Sequence, residues 1–214
     1  MIVLEIFFYG FFGIIIIAMG MKAYEDYKFY RGSFYTILYS GFIEYYIRLR
    51  QKKDLSQSDW LKQELGDHRI VFNSYLDQNG IPVHNFVTIF HNKGVHMFSI
   101  IQNSGEITGK DKDKHWIIHR DKKTFRIPAS SSLLEQHIQL TKNKTGIEHI
   151  EGVLMFKNDA DFSKMKTSWK TAKYSDLLNV LKEGNQDLSL AEIEAYFKKC
   201  TEQLKNHKKE GENV

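Results

Sequence analysis

The chain has 214 residues, 42% hydrophobic and 14% aromatic, which suits one sizeable domain with attachments and excludes a globally disordered protein. Its formal net charge of +4 is a mild basic excess, compatible with nucleic acid or anionic lipid and diagnostic of neither. The single cysteine, Cys200, excludes an internal disulfide, so a reducing compartment is expected for the folded part.

Residues 2–21 are apolar apart from Glu5 and include four consecutive isoleucines at 14–17. A stretch of about twenty such residues is long enough to span a bilayer, so residues 1–21 read as a transmembrane anchor. No basic residue precedes the run, which argues against a cleaved signal peptide. Lys22, Lys28 and Arg31 follow it, and the positive-inside rule then puts the carboxyl-terminal side in the cytoplasm of a single-pass membrane protein. The alternative is a buried core helix. Residues 22–39 are rich in Tyr and Phe, expected either at the lipid headgroups or packed on the domain behind them.

Ser40 to Arg50 reads as a helix start, with Ser40 as cap and Ile43 and Ile47 at helical spacing. Residues 51–67 continue as a helix or a helix-turn-helix with Trp60, Leu61 and Leu65 on its apolar stripe. Strands are predicted over His68–Leu76, Val83–Phe90 and Val95–Gln102, the first two joined by the Asn-Gly turn of DQNGIP. In the third, Val95, Met97, Ser99 and Ile101 share one face and His96, Phe98, Ile100 and Gln102 the other. A short strand precedes Gly109, and KDKDKH (110–115) reads as a solvated loop. An amphipathic helix is predicted over 130–142, a buried strand over 150–156 and a short helix over 175–182. A last helix begins at the Ser189/Glu192 capping box and carries Leu190, Ile193, Phe197 and Cys200 on its buried stripe. Residues 205–214 form a charged tail that frays. No nucleotide-binding loop, zinc spacing or nucleophile elbow is present.

The stretch Gly94–Gly109, GVHMFSIIQNSGEITG, resembles the central motif of the nuclease-related domain (NERD) family: a Gly, hydrophobic residues, Glu-x-Lys, a polar loop, then Gly-x-Ile-x-Gly. Here Ser99 stands at the family's Glu and Ile101 at its Lys. Further likeness lies in Ser40 and Glu44, placed on the family's Gly-x-x-x-Glu, and in Trp116, Phe125 and Pro128, in the order of its W…F-x-N-P segment, with Ile127 where its Asn would be. His137 and Leu140 can be laid on its His-x-x-Leu. The resemblance covers about 40–204. It implies an α/β fold: a restriction-endonuclease-like αβββαβ core with a mixed sheet, plus the N-terminal transmembrane helix and C-terminal helices. The family's strand-two Asp falls on Asn85, or on Phe86 by a strict count of the loop.

Phosphodiester cleavage with Mg²⁺ needs carboxylates for the ion and a donor for the phosphate. With Asn85, Ser99 and Ile101 in those places, Glu44 alone would hold Mg²⁺ too weakly, and no catalytic residue, metal or cofactor is expected. The reading is a membrane-anchored, catalytically inactive NERD-like binding or assembly module, with DNA or RNA as a candidate ligand. Lys110, Lys112, Lys114, Arg120, Lys122 and Lys123 are its candidate phosphate contacts; a solvated hairpin is the bland alternative. Two other readings stay open. One is a Mg²⁺-dependent nuclease whose site has migrated to Glu64, Asp67, Glu106, Asp111 or Asp113. The other is a scaffold that binds only other membrane proteins.

Overall fold

The computed structural model describes residues 2–76 and 82–211. The chain divides into two compact units, 1–55 and 56–214.

The first unit opens with α1, Ile2–Gly32. The expected anchor over residues 1–21 falls, from Ile2 on, within this helix, which runs eleven residues past Met21; among the described residues no helix is long and apolar enough to cross a membrane. Its second half, after the apolar run, carries Lys22, Glu25, Asp26, Lys28 and Arg31. Phe11, Ile14, Ile16, Ile17, Met19 and Met21 are nevertheless exposed. The aromatic segment is part exposed and part buried. Tyr24, Tyr27 and Phe29 are exposed, whereas Tyr30, Phe34 and Tyr39 are buried. Tyr45 joins these, its ring centroid 5.2 Å from Tyr30 and 5.0 Å from Tyr35. It lies on α2, Phe42–Ile47, which continues as a π turn to Lys52. Gly41, not Ser40, caps α2. The bidentate Arg50–Asp26 pair, at 2.7 and 2.9 Å, ties the end of that turn to α1.

The second unit begins with α3, Asp59–Leu65, capped by Ser58. Its main sheet contains β1 (His68–Leu76), β2 (Pro82–His91), β3 (Gly94–Ile101), β7 (Glu151–Phe156) and β9 (Lys170–Lys173), in the order β1-β2-β3-β7-β9. The first three pair antiparallel; β3–β7 and β7–β9 pair parallel. The turn expected at 77–82 lies, but for Pro82, outside the described residues. A second mixed sheet, unforeseen from the sequence, has the order β6-β5-β4-β8 and contains β4 (Gly105–Thr108), β5 (His115–Arg120), β6 (Lys123–Pro128) and β8 (Ala160–Asp161). Between the sheets' strands comes α4, Ser130–Thr145, crossing over to β7; α5 (Leu177–Lys182) and α6 (Leu190–Gly211) close the unit. The predicted capping box is present: Ser189 Oγ accepts from the Glu192 N–H, and the Ser189 N–H donates to Glu192 Oε2. The helix runs into the stretch expected to fray, as far as Gly211.

One core joins Phe86, Phe90, Val95, Met97 and Ile101 of the main sheet to Ile107, Trp116 and Ile118 of the second, with Leu134 and Ile138 from α4 and Ile193 from α6. Trp116 is fully buried; its indole N–H donates to the Lys110 carbonyl at 3.2 Å, and glycine at 109 leaves room for the ring. Replacing Trp116 by Ala removes the largest side chain joining the two sheets. The expected loss is about 3–5 kcal/mol, read as a lower denaturation midpoint of the full chain in detergent.

Candidate functional site

The resemblance points to the carboxyl end of β3. Asn85 pairs with Ile100, and Phe86 with Ser99. Directly paired residues project from the same face of a sheet and neighbours along a strand from opposite faces. Ser99 and Ile101 therefore share a face with His84 and Phe86, while Asn85 projects from the other. The structure thus brings Ser99 and Ile101 together with Phe86 and leaves Asn85 behind the sheet, where its Oδ1 accepts from Ser74 Oγ at 2.9 Å.

On the Ser99 face the serine itself is sealed, while its imidazole neighbours are half-buried. Ser99 is 0% exposed and Ile101 2%. His84 Nε2 lies 2.6 Å from Ser99 Oγ. Phe86 is held between two imidazoles, edge-on to His84 at 4.8 Å and stacked on His137 at 4.5 Å. Asn73 Nδ2 lies 3.2 Å from His137 Nε2; an amide nitrogen only donates, so His137 accepts at Nε2 and carries its proton on Nδ1. A serine beside a histidine has the outline of a nucleophile and its base. Here the serine oxygen is enclosed on a central strand, and the contact with His84 satisfies it.

A cleft of about 300 Å³ opens at the strand ends, lined by His84, Asn85, Ile100, Ile101, Gln102, Asn103, Ile127, Pro128 and Ser130. None of these is a carboxylate. The residues considered for a migrated site are engaged elsewhere. Glu106 pairs with Lys164 at 2.7 Å, Glu64 with Lys182 at 3.0 Å, and Asp67 with Lys62 at 4.0 Å. Asp111 accepts from Thr167 and Ser168, which hold its carboxyl below the usual range against the opposing effect of burial, and Asp113 accepts from the Lys110 N–H. Glu44 belongs to the first unit, where Oε2 accepts from Ser40 and Oε1 from Arg48 Nε at 3.0 Å. Among the described residues, no group of three or more His, Cys, Asp or Glu could hold a metal ion.

The cationic residues fall at the two ends of one hairpin. Lys110, Lys112 and Lys114 precede β5, whereas Arg120, Lys122 and Lys123 form the β5–β6 turn. Six residues at about 3.3 Å each separate Lys114 from Arg120 by roughly 20 Å. Beside the turn lies a second cleft of about 370 Å³, lined by Asn103, Ser104, Ile118, Arg120, Asp121, Lys123 and Phe125. Sequence reasoning passed over Asn103, Gln102 and Phe125 as site residues; the only signal was an aromatic between Lys123 and Arg126 on a strand.

Compared with protein-family models, curated proteins and solved structures, the chain matches none.

Four imidazoles have their basicity lowered, first of all by burial. His84 and His137 are brought to about 4; His91 and His96, at the opposite end of the sheet, to about 3 and about 4. His91 Nδ1 accepts from the Lys93 N–H, so its proton sits on Nε2 and is donated to His96 Nδ1 at 3.1 Å. His96 Nε2 in turn lies 3.1 Å from Glu151 Oε2 without the alignment of a hydrogen bond. The unfolded chain takes up protons at these sites from about pH 6.5 downward while the folded chain resists, so stability falls as the pH drops below that value. Between pH 7.5 and pH 5 the expected loss is on the order of 1–2 kcal/mol per histidine. Denaturant midpoints across that interval measure it, and a His137→Phe variant has a shallower slope.

Proposed function

We propose that this chain is a NERD-like domain that has lost catalysis and works as a binding module, with nucleic acid as its ligand and a lipid bilayer as its attachment. The observation that carries the first part is the burial of Ser99 and Ile101: where the family it resembles places a metal-binding Glu and a Lys, this chain has two side chains enclosed in its core. The order α3, β1, β2, β3 and then, after the inserted β4–β6, α4 and β7, with β1, β2, β3 and β7 in one mixed sheet, supports the restriction-endonuclease-like αβββαβ reading. The neutral lining of the cleft at Asn85 and Gln102 supports binding without hydrolysis, since Mg²⁺ gathers on carboxylates. Exposed apolar side chains along α1 support attachment through residues 2–21, with the basic residues after them on the cytoplasmic side.

The full chain, incubated with single- and double-stranded DNA and RNA in Mg²⁺ or Mn²⁺, is expected to retard nucleic acid in a gel and cut none of it. Cleavage that disappears in Glu44→Ala would overturn the loss of catalysis. Failure to retard any polymer would leave a protein partner as the ligand. Flotation with phosphatidylcholine–phosphatidylglycerol vesicles tests the attachment; a chain remaining in the soluble fraction rejects it.

A further inference from the structure

The two clefts beside β6 are neighbours: Asn103 lines both. Alternate residues of β6 share a face, and Lys123, Phe125 and Ile127 accordingly line them in succession, the first two in the cleft at the hairpin turn and Ile127 in the cleft at Asn85. Phe125 is 47% exposed, on an edge strand of the second sheet. The two ends differ in chemistry. At the turn, Arg120 and Lys123, paired across the hairpin, line the cleft beside Phe125, while at the far end the polar lining is amide and imidazole, from Asn85, Gln102 and His84.

From this arrangement we infer that the β6 groove is a site for single-stranded nucleic acid. Arg120 and Lys123 take a phosphate, Phe125 stacks on a base, and Gln102, Asn103 and Asn85 meet the edges of the next base. The inference rests on the nucleic-acid reading above and narrows it. A pair of cations, then an aromatic platform, then a neutral amide-lined cleft matches a ligand that alternates an anion with a planar ring bearing donors and acceptors. A duplex offers its phosphates but keeps its base faces stacked, out of reach of Phe125. The extension over two clefts favours a strand over a free nucleotide. Asp121, also in the lining, contacts Arg120 Nε at 3.3 Å from a side chain 84% exposed, and such a pair gives way to a phosphate at little cost. Across the cleft, Ser104 is fixed by its hydrogen bond to Asp159 at 2.8 Å. Lys110, Lys112 and Lys114 lie at the hairpin's other end and are not part of this site.

The test is fluorescence anisotropy of the full chain in detergent with labelled oligo-dT of about a dozen nucleotides, a duplex of equal length, and thymidine monophosphate as competitor. The single strand is expected to bind more tightly than the duplex. Phe125→Ala should weaken it by about 10-fold, Phe125→Trp should retain it, and Lys123→Ala should flatten the salt dependence by about one counterion. Lys198→Ala, on α6, should leave binding unchanged. Equal affinity for the duplex with no effect of Phe125→Ala overturns the groove while the broader nucleic-acid reading stands. No binding to either polymer overturns both. Thymidine monophosphate binding as tightly as the oligonucleotide makes the ligand a free nucleotide and overturns the strand.

Discussion

The structure of the second unit depends on β3 being buried along its whole length, eight consecutive residues from Gly94 to Ile101. A strand with both faces enclosed must be covered on each side and paired on each edge. β2 and β7 take the edges. The second sheet, α4 and α6 share one core with the Met97–Ile101 face. On the other face, Phe98 and Ile100 are as deeply buried as Met97 and Ile101. Burial on this scale also decides what the motif positions can do. A carboxylate at 99 or a lysine at 101 would need a partner or an opening to water. Serine with a histidine at 2.6 Å, and isoleucine, need neither.

The histidines follow from the same constraint. His91 and His96 are 0% and 1% exposed, and both sit where two strands and a turn converge. A charged imidazole there would lack solvent, so each stays neutral and is oriented by the hydrogen bond of its neighbour. Glu151 is held on its other side by Lys170 at 2.9 Å, which in turn meets Glu183. Strands β3, β7 and β9 and the end of α5 are thereby linked through polar contacts at one end of the sheet. The two clefts beside β6 lie at the other end, where β3 stops and the loop of Gln102, Asn103 and Ser104 begins.

Much of this was legible in the chain itself. Period-two alternation gave the three leading strands and the two faces of β3, because side-chain direction along a strand is a local property. The Ser189/Glu192 box located the last helix for the same reason: its hydrogen bonds span three residues. The absence of an acid at 85 and 99 and of a lysine at 101 required no structure to see.

Tertiary structure decided what depends on residues far apart. The pairing of Phe86 with Ser99 turned Asn85 to the opposite face, since a shift of one residue in register reverses every side chain of a strand. The hairpin of β5 and β6 drew one basic segment into two ends roughly 20 Å apart. Lys62, Thr167, Ser168, Lys164 and Lys182 engaged the acids that could have rebuilt a metal site. The groove along β6 exists only because the loop after β3 stands against a strand twenty residues later. Local pattern determined the elements and the chemistry missing from them; register and long-range packing determined which side chains meet.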